Sequence, residues 1–84
     1  MKIIFTRKRV IMETLKRNLL DEFTTKYFEK LFYFCLKKTG DSFEAEELAA
    51  DITLQIVTAI QKGNIPVNSS AWVWQIARNR YSHW

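Results

Sequence analysis

The residues of this chain that could do chemistry are suited to binding rather than to bond-making. From residue 63 to residue 84 the only charged side chains are Arg78 and Arg80, giving +2 with His83 neutral. Among them stand Asn64, Asn68, Ser69 and Asn79, which supply neutral hydrogen-bond donors and acceptors, and Trp74 and Tyr81, which supply flat aromatic faces. From residue 41 to residue 62 the balance reverses: five acids against Lys62 give −4. One surface should therefore suit a basic partner and another a polyanion. Nothing resembles a catalytic set: there is no Gly-rich phosphate loop, no nucleophile motif and no paired acid and base. His83 is the sole histidine and has no clustered cysteine or acid, so neither a metal site nor a cofactor is expected. Cys35 is the sole cysteine. It permits no internal disulfide, fits a reducing cytoplasm, and reads as a small buried hydrophobe.

The elements that must position these residues are helices. The chain has 84 residues, enough for one domain with a modest core, and 48% of them are apolar, which argues against disorder. Two glycines and one proline are too few turn signals for a many-stranded sheet. No apolar run approaches a membrane span. At the N-terminus a short apolar patch precedes Arg7, Lys8 and Arg9, the reverse of a secretory signal. Residues 1–17 carry six cations against Glu13, a net of +5, while the remainder sums to −1. The high pI thus belongs to the leading segment. Residues 1–11 show no helical period and are expected to be a disordered or start-site extension, with Met12 as a second start and residues 12–84 as the folded domain.

An all-α bundle of three principal helices is predicted, with residues 12–20 forming either a short extra helix or an extension. The first helix should run from about 21 to 39, with Asp21 as N-cap, Phe23, Tyr27, Leu31 and Phe34 on one face, Phe28 and Cys35 beside it, and Gly40 as terminator. The second should run from about 42 to 61 behind Asp41, with Glu44 at capping-box spacing and an apolar stripe of Ala45, Leu48, Ala49, Ile52, Ile56, Ala59 and Ile60. After a loop over 63–69 containing Pro66, Ser69 or Ser70 should cap a third helix whose inner face is Trp72, Val73, Ile76, Ala77 and Arg80.

Two stretches then resemble region 2 of the extracytoplasmic-function sigma factors. Gly40-Asp41 followed by Ala45-Glu46-Glu47-Leu48-Ala49-Ala50-Asp51-Ile52 looks like the family's Gly-Asp, spacer, Ala-Glu-Asp-Leu-Thr-Gln-Glu-Val. Ala71-Trp72-Val73-Trp74-Gln75-Ile76-Ala77-Arg78-Asn79 is similar to its Trp-Leu-Tyr-Arg-Ile-Ala-Arg-Asn. The resemblance covers about residues 19 to 84. Glu47 stands where the family usually has Asp, Ala50 where it has Gln, Asp51 where it has Glu, and Thr53 where it often has Phe.

The resemblance implies a cytoplasmic, non-enzymatic domain that binds core RNA polymerase and recognises and melts the promoter −10 element. The polymerase face would be Glu47, Ala50, Asp51, Leu54 and Gln55, docking on the clamp helices of the largest subunit. The DNA face would be Asn64, Asn68, Ser69, Trp74, Arg78, Asn79 and Arg80, capturing unpaired non-template bases. A base flipped from a duplex needs a pocket that bonds its edge and packs its face, and stacking contributes about 1–3 kcal/mol per base. An anti-sigma factor is a further partner that the resemblance allows. Such sigma factors continue through a linker into a second domain reading the −35 element; the present sequence is expected to be either a piece of such a chain or one in which that domain is absent.

Ordinary readings stand beside these. Trp72 reads as core, Trp74 equally as a base platform or as packing, and Arg78 and Arg80 as solvated charges unless Arg80 pairs with an acid of the second helix. The acidic face is by default a solvated surface. A sigma-like interaction module binding a regulator without DNA contact is the alternative, favoured by the changes at Ala50 and Thr53. A helix-turn-helix reader of duplex DNA is disfavoured by the long polar loop over 62–69.

Overall fold

The structure, a computed structural model, describes residues 2–84, with side chains from Arg9 onward. Four α-helices account for most of it: α1 (Lys2–Glu22), α2 (Phe28–Thr39), α3 (Ser42–Gln61) and α4 (Ser69–Ser82). A π-helical turn, Phe23–Tyr27, joins α1 to α2, so the first two helices form one rod. The rod, α3 and α4 are the three principal pieces of the all-α fold, and no strand occurs among the described residues. Residues 2–11, for which the sequence shows no helical period, form the start of α1, and their side chains before Arg9 lie outside the described ones.

The π turn is the main departure from the sequence reading. Asp21 is not an N-cap; it lies inside α1, and its carbonyl accepts a hydrogen bond from the Thr25 hydroxyl at 2.8 Å. Thr24 donates likewise to the Leu20 carbonyl. Side-chain bonds of this kind loosen a helix locally. The Phe28 N–H then reaches back five residues to the Phe23 carbonyl. A turn widened by one residue makes Phe23 and Leu31, eight apart, behave as though seven apart, which is close to two whole turns. Phe23, Leu31 and Cys35 consequently share the buried face, while Phe28 is turned outward to half exposure.

Helix ends follow the sequence closely elsewhere. Gly40 stops α2 at φ 71° with its N–H on the Leu36 carbonyl (2.8 Å), the left-handed cap that suits glycine. Asp41 caps α3, its Oδ1 accepting from the N–H of Phe43 (2.7 Å) and of Glu44 (3.2 Å). The returning half of a capping box is not made by Glu44; the Asp41 N–H points to the Thr39 hydroxyl at 3.4 Å. α3 closes with a Schellman pair, Asn64 N–H to Ala59 carbonyl and Gly63 N–H to Ile60 carbonyl, with Gly63 at φ 89°. At α4 the cap is Asn68, whose Oδ1 accepts from the Ala71 N–H (3.1 Å), rather than Ser69 or Ser70. An amide one residue earlier does the work because Asn68 has the extended backbone a cap needs.

The core is the meeting of three stripes. Ala45, Leu48, Ala49, Ile52, Ile56 and Ile60 of α3 are buried against Phe23, Leu31 and Cys35 of the rod and Val73 and Ala77 of α4. Each fully buried Leu or Ile contributes about 1.5–3 kcal/mol of transfer free energy. Trp72, Trp74, Ile76, Phe34 and Tyr27 are half-buried around this centre. Leu19 and Leu20 of α1 also lie on it, so the C-terminal part of α1 belongs to the folded unit.

Candidate functional site

The residues read from sequence as two separate faces meet at one ion pair. Arg80 of α4 grips Asp51 of α3, Nε to Oδ2 at 2.7 Å and Nη2 to Oδ1 at 3.0 Å. The hydrogen bonds to the carboxylate raise the Arg80 pKa above its ordinary value, partial burial opposes the rise, and the charge of Asp51 adds to it. A guanidinium fork matched to a carboxylate is the strong form of such a bond. Asp51 is therefore an internal partner of α4 as well as a member of the acidic face.

This divides the five residues assigned to the polymerase face. Glu47, Ala50 and Leu54 are exposed on the outer side of α3. Asp51 and Gln55 are half-buried toward α4. Gln55 joins Ala59, Ile76, Asn79 and Arg80 around a cleft of about 280 Å³ between the two helices. On the other flank of α3, an apolar groove of about 510 Å³ runs between Phe28 and Phe32 of α2 and Ala50, Leu54 and Val57 of α3. Thr53 lies in that groove with its Oγ1 buried and unbonded.

The seven residues assigned to DNA divide as well. Asn64, Arg78 and Asn79 have exposed side chains that make no hydrogen bond among the described residues. Asn79 borders the α3–α4 cleft, and its carbonyl accepts from His83 Nδ1 at 2.8 Å; a carbonyl can only accept, so the imidazole donates. Asn68 is occupied as the α4 cap. The Ser69 hydroxyl donates to Glu22 Oε1, tying the start of α4 to the end of α1. Trp74 packs on Phe34 with ring centroids 5.7 Å apart. Arg80 holds Asp51.

Sequence reasoning missed Glu22 and Lys38. Glu22 lay outside any motif, and nothing in its spacing announced a partner 47 residues away. Lys38 sits over the rings of Phe34 (5.8 Å) and Tyr81 (5.6 Å), which themselves meet edge to face at 6.4 Å. The four-residue spacing of Phe34 and Lys38 on one helix was the available signal. The cluster of Phe34, Trp74, Tyr81 and Lys38 clamps α4 to the end of α2, while the Asp51–Arg80 pair ties α4 to α3.

Among the described residues no group of three or more His, Cys, Asp or Glu side chains could hold a metal ion, and no helix is long and apolar enough to cross a membrane. The family model described as Sigma-70 region 2 matches residues 23–84, which takes in the π turn, α2, α3, the loop and α4. Neither a curated protein nor a solved structure matches the chain.

Proposed function

The chain belongs to the sigma-70 region 2 family, and from that premise we propose that it joins core RNA polymerase through the outer side of α3 and meets the unpaired strand of a promoter −10 element through the loop over 63–68 and α4. Membership carries a sigma-factor role in promoter recognition. The assignment of faces is supported by one observation above all. α3 and α4 share one core and are cross-linked by Asp51–Arg80, so exposed Glu47, Ala50 and Leu54 and exposed Asn64, Arg78 and Asn79 ride on a single rigid unit. A partner held on α3 thereby fixes where the polar face of α4 is presented.

The chemistry is binding. Glu47 carries charge toward a basic partner helix, and Ala50 and Leu54 give it apolar contact. Arg78 is free to meet a phosphate, a contact that orients a strand without reading it. Asn64 and Asn79 bring amides able to read a base edge. Opening of the duplex draws on these contacts to the opened strand and needs no bond-making step.

Core capture tests the polymerase half. Glu47→Lys reverses an exposed charge that makes no hydrogen bond among the described residues. Capture of core RNA polymerase by the folded variant is expected to fall at least tenfold; undiminished capture overturns this half of the reading. A regulator-binding module without DNA contact is the second reading. It is favoured by the internal occupation of Asn68, Ser69, Trp74 and Arg80, which leaves three of the seven candidate side chains for DNA.

A further inference from the structure

Toward its N-terminus α1 carries an apolar face that is left largely exposed among the described residues. Ile11, Leu15 and Leu19 follow one another at four-residue spacing on one side of the helix. Leu19 is half-buried on the core, whereas Leu15 is 42% exposed and Ile11 60% exposed. Met12, on the same side, touches the turn at Gly63 and is still 38% exposed. The stripe that seats α1 on the domain thus runs on past the domain. The molecule is accordingly long, 54 × 23 × 21 Å.

The groove between α2 and α3 is the complementary feature. Its walls are Phe28 (49% exposed), Phe32, Ala50, Leu54 (62% exposed) and Val57, and Glu46 stands in its lining. Residues 46 to 57 of α3 span about 16 Å at the helical rise, and the free part of the stripe, Ile11 to Leu15, spans about 6 Å, so it fits within the length of the groove. Charge decides between possible occupants. The first 17 residues carry +5, and residues 41–62, which include the α3 wall of the groove, carry −4; Asp51 among them is already paired with Arg80, and Glu46 is the acid in the groove's lining. Two α1 helices laid together would repel; α1 laid against α3 attracts. The rod formed by α1, the π turn and α2 keeps a chain's own α1 in line with α2, so it cannot fold back into its own groove.

We propose that a second copy of this chain is the occupant: α1 of one protomer lies in the α2–α3 groove of its partner through Ile11 and Leu15. The contact joins different surfaces on the two protomers, so it closes as a reciprocal pair or propagates as a row. It covers Ala50 and Leu54, and a protomer so covered has no free outer face on α3. The contact is assayed without polymerase, so its test is independent of the polymerase reading.

Two variants and their mixture provide that test. Leu54→Lys blocks the groove and leaves α1 intact. Ile11→Gln with Leu15→Gln removes the stripe, uses a good helix former, and leaves the groove intact. All three positions are exposed, and circular dichroism verifies that each variant folds. Sedimentation velocity at tens of micromolar is expected to show the unaltered protein heavier than the 10.0 kDa monomer, and each variant alone as a monomer. An equimolar mixture is expected to form a one-to-one pair, because it holds one intact stripe and one intact groove. A monomeric unaltered protein overturns the proposal. So does association that survives Leu54→Lys, or a mixture that stays monomeric.

Discussion

Arg80 and Asp51 lie 29 residues apart in sequence and meet side by side, two nitrogens on two oxygens at 2.7 and 3.0 Å. The pair makes Asp51 unlike its neighbour Glu47, although both belong to one acidic stretch. Replacing Asp51 by Lys sets two cations face to face across the α3–α4 contact. Asp51→Lys is therefore expected to lower the melting temperature clearly, and Glu47→Lys to leave it nearly unchanged. The exchanged pair Asp51→Arg with Arg80→Asp should recover part of the loss. Thermal melts followed at 222 nm check this, and equal melting points for the two single variants would sink it. Because both side chains are partly exposed, the loss should shrink as salt is raised.

The α2–α3 corner makes a second prediction. Asp41→Ala removes the acceptor for two helix N–H groups and should cost about 1 kcal/mol, within a range of roughly 0.5–2. Gly40→Ala places a Cβ where no atom lies within 4 Å, so its cost is conformational alone, about 1–2 kcal/mol at φ 71°. Urea unfolding should show a lower midpoint for each variant with an unchanged slope. A neutral Gly40→Ala would mean that the corner relaxes out of the left-handed conformation.

What could be read from sequence here was what depends on near neighbours. The bounds of α3, the Asp41 cap, the Gly40 stop and the stripe from Ala45 to Ile60 follow from residue types at fixed short offsets, and the structure has all of them. The π turn was not legible, because it arises when Phe23 must join Leu31 and Cys35 on one buried face, a demand set by packing. The α4 cap was misplaced by one residue because Asn68, Ser69 and Ser70 are all good caps, and only backbone geometry chooses among them. The candidate site was half legible. Composition picked out polar side chains that could bind and allowed Arg80 an acid of the second helix as partner, but which acid that is, and the tie of Ser69 to Glu22, are set by long-range packing and decide which side chains remain free.

Cys35 supplies a pH prediction. Burial pushes its thiol up to about 11 from 9.0, so in the folded protein it stays neutral and shielded. Native protein at pH 8 should react with a disulfide reagent far more slowly than urea-unfolded protein. The sign of the stability effect follows. An acid whose folded pKa is raised favours the unfolded state once that state can ionise. The contribution is complete below pH 9 and is lost as pH rises from 9 toward 11. Cys35→Ser or Cys35→Ala should remove this alkaline component from the pH profile of unfolding. An unchanged profile over that window would show that other groups carry it.

The DNA half of the proposed function turns on separating side chains that are free from those already engaged. Asn64 and Asn68 lie in the same loop and share an amide, yet Asn68 caps α4 and Asn64 bonds only through its backbone. Asn68→Ala should cost about 1 kcal/mol of stability, and Asn64→Ala nearly none. In promoter opening the order should reverse at temperatures where both are folded, with Asn64→Ala and Asn79→Ala weakening discrimination at their bases by roughly 1–3 kcal/mol if a buried bond is lost. Arg78→Ala should instead weaken all −10 variants alike and reduce the salt slope by about 0.7 per lost phosphate contact on a single strand. The assay is open-complex formation on matched and pre-melted templates, using this chain fused to a domain that reads the −35 element. Pre-melted templates bypass opening, so a variant that fails only in strand capture fails on both. If Asn64→Ala, Arg78→Ala and Asn79→Ala all leave opening, base preference and salt slope unchanged while Glu47→Lys still abolishes core capture, the loop and α4 are not the DNA face. The regulator-binding reading then takes its place.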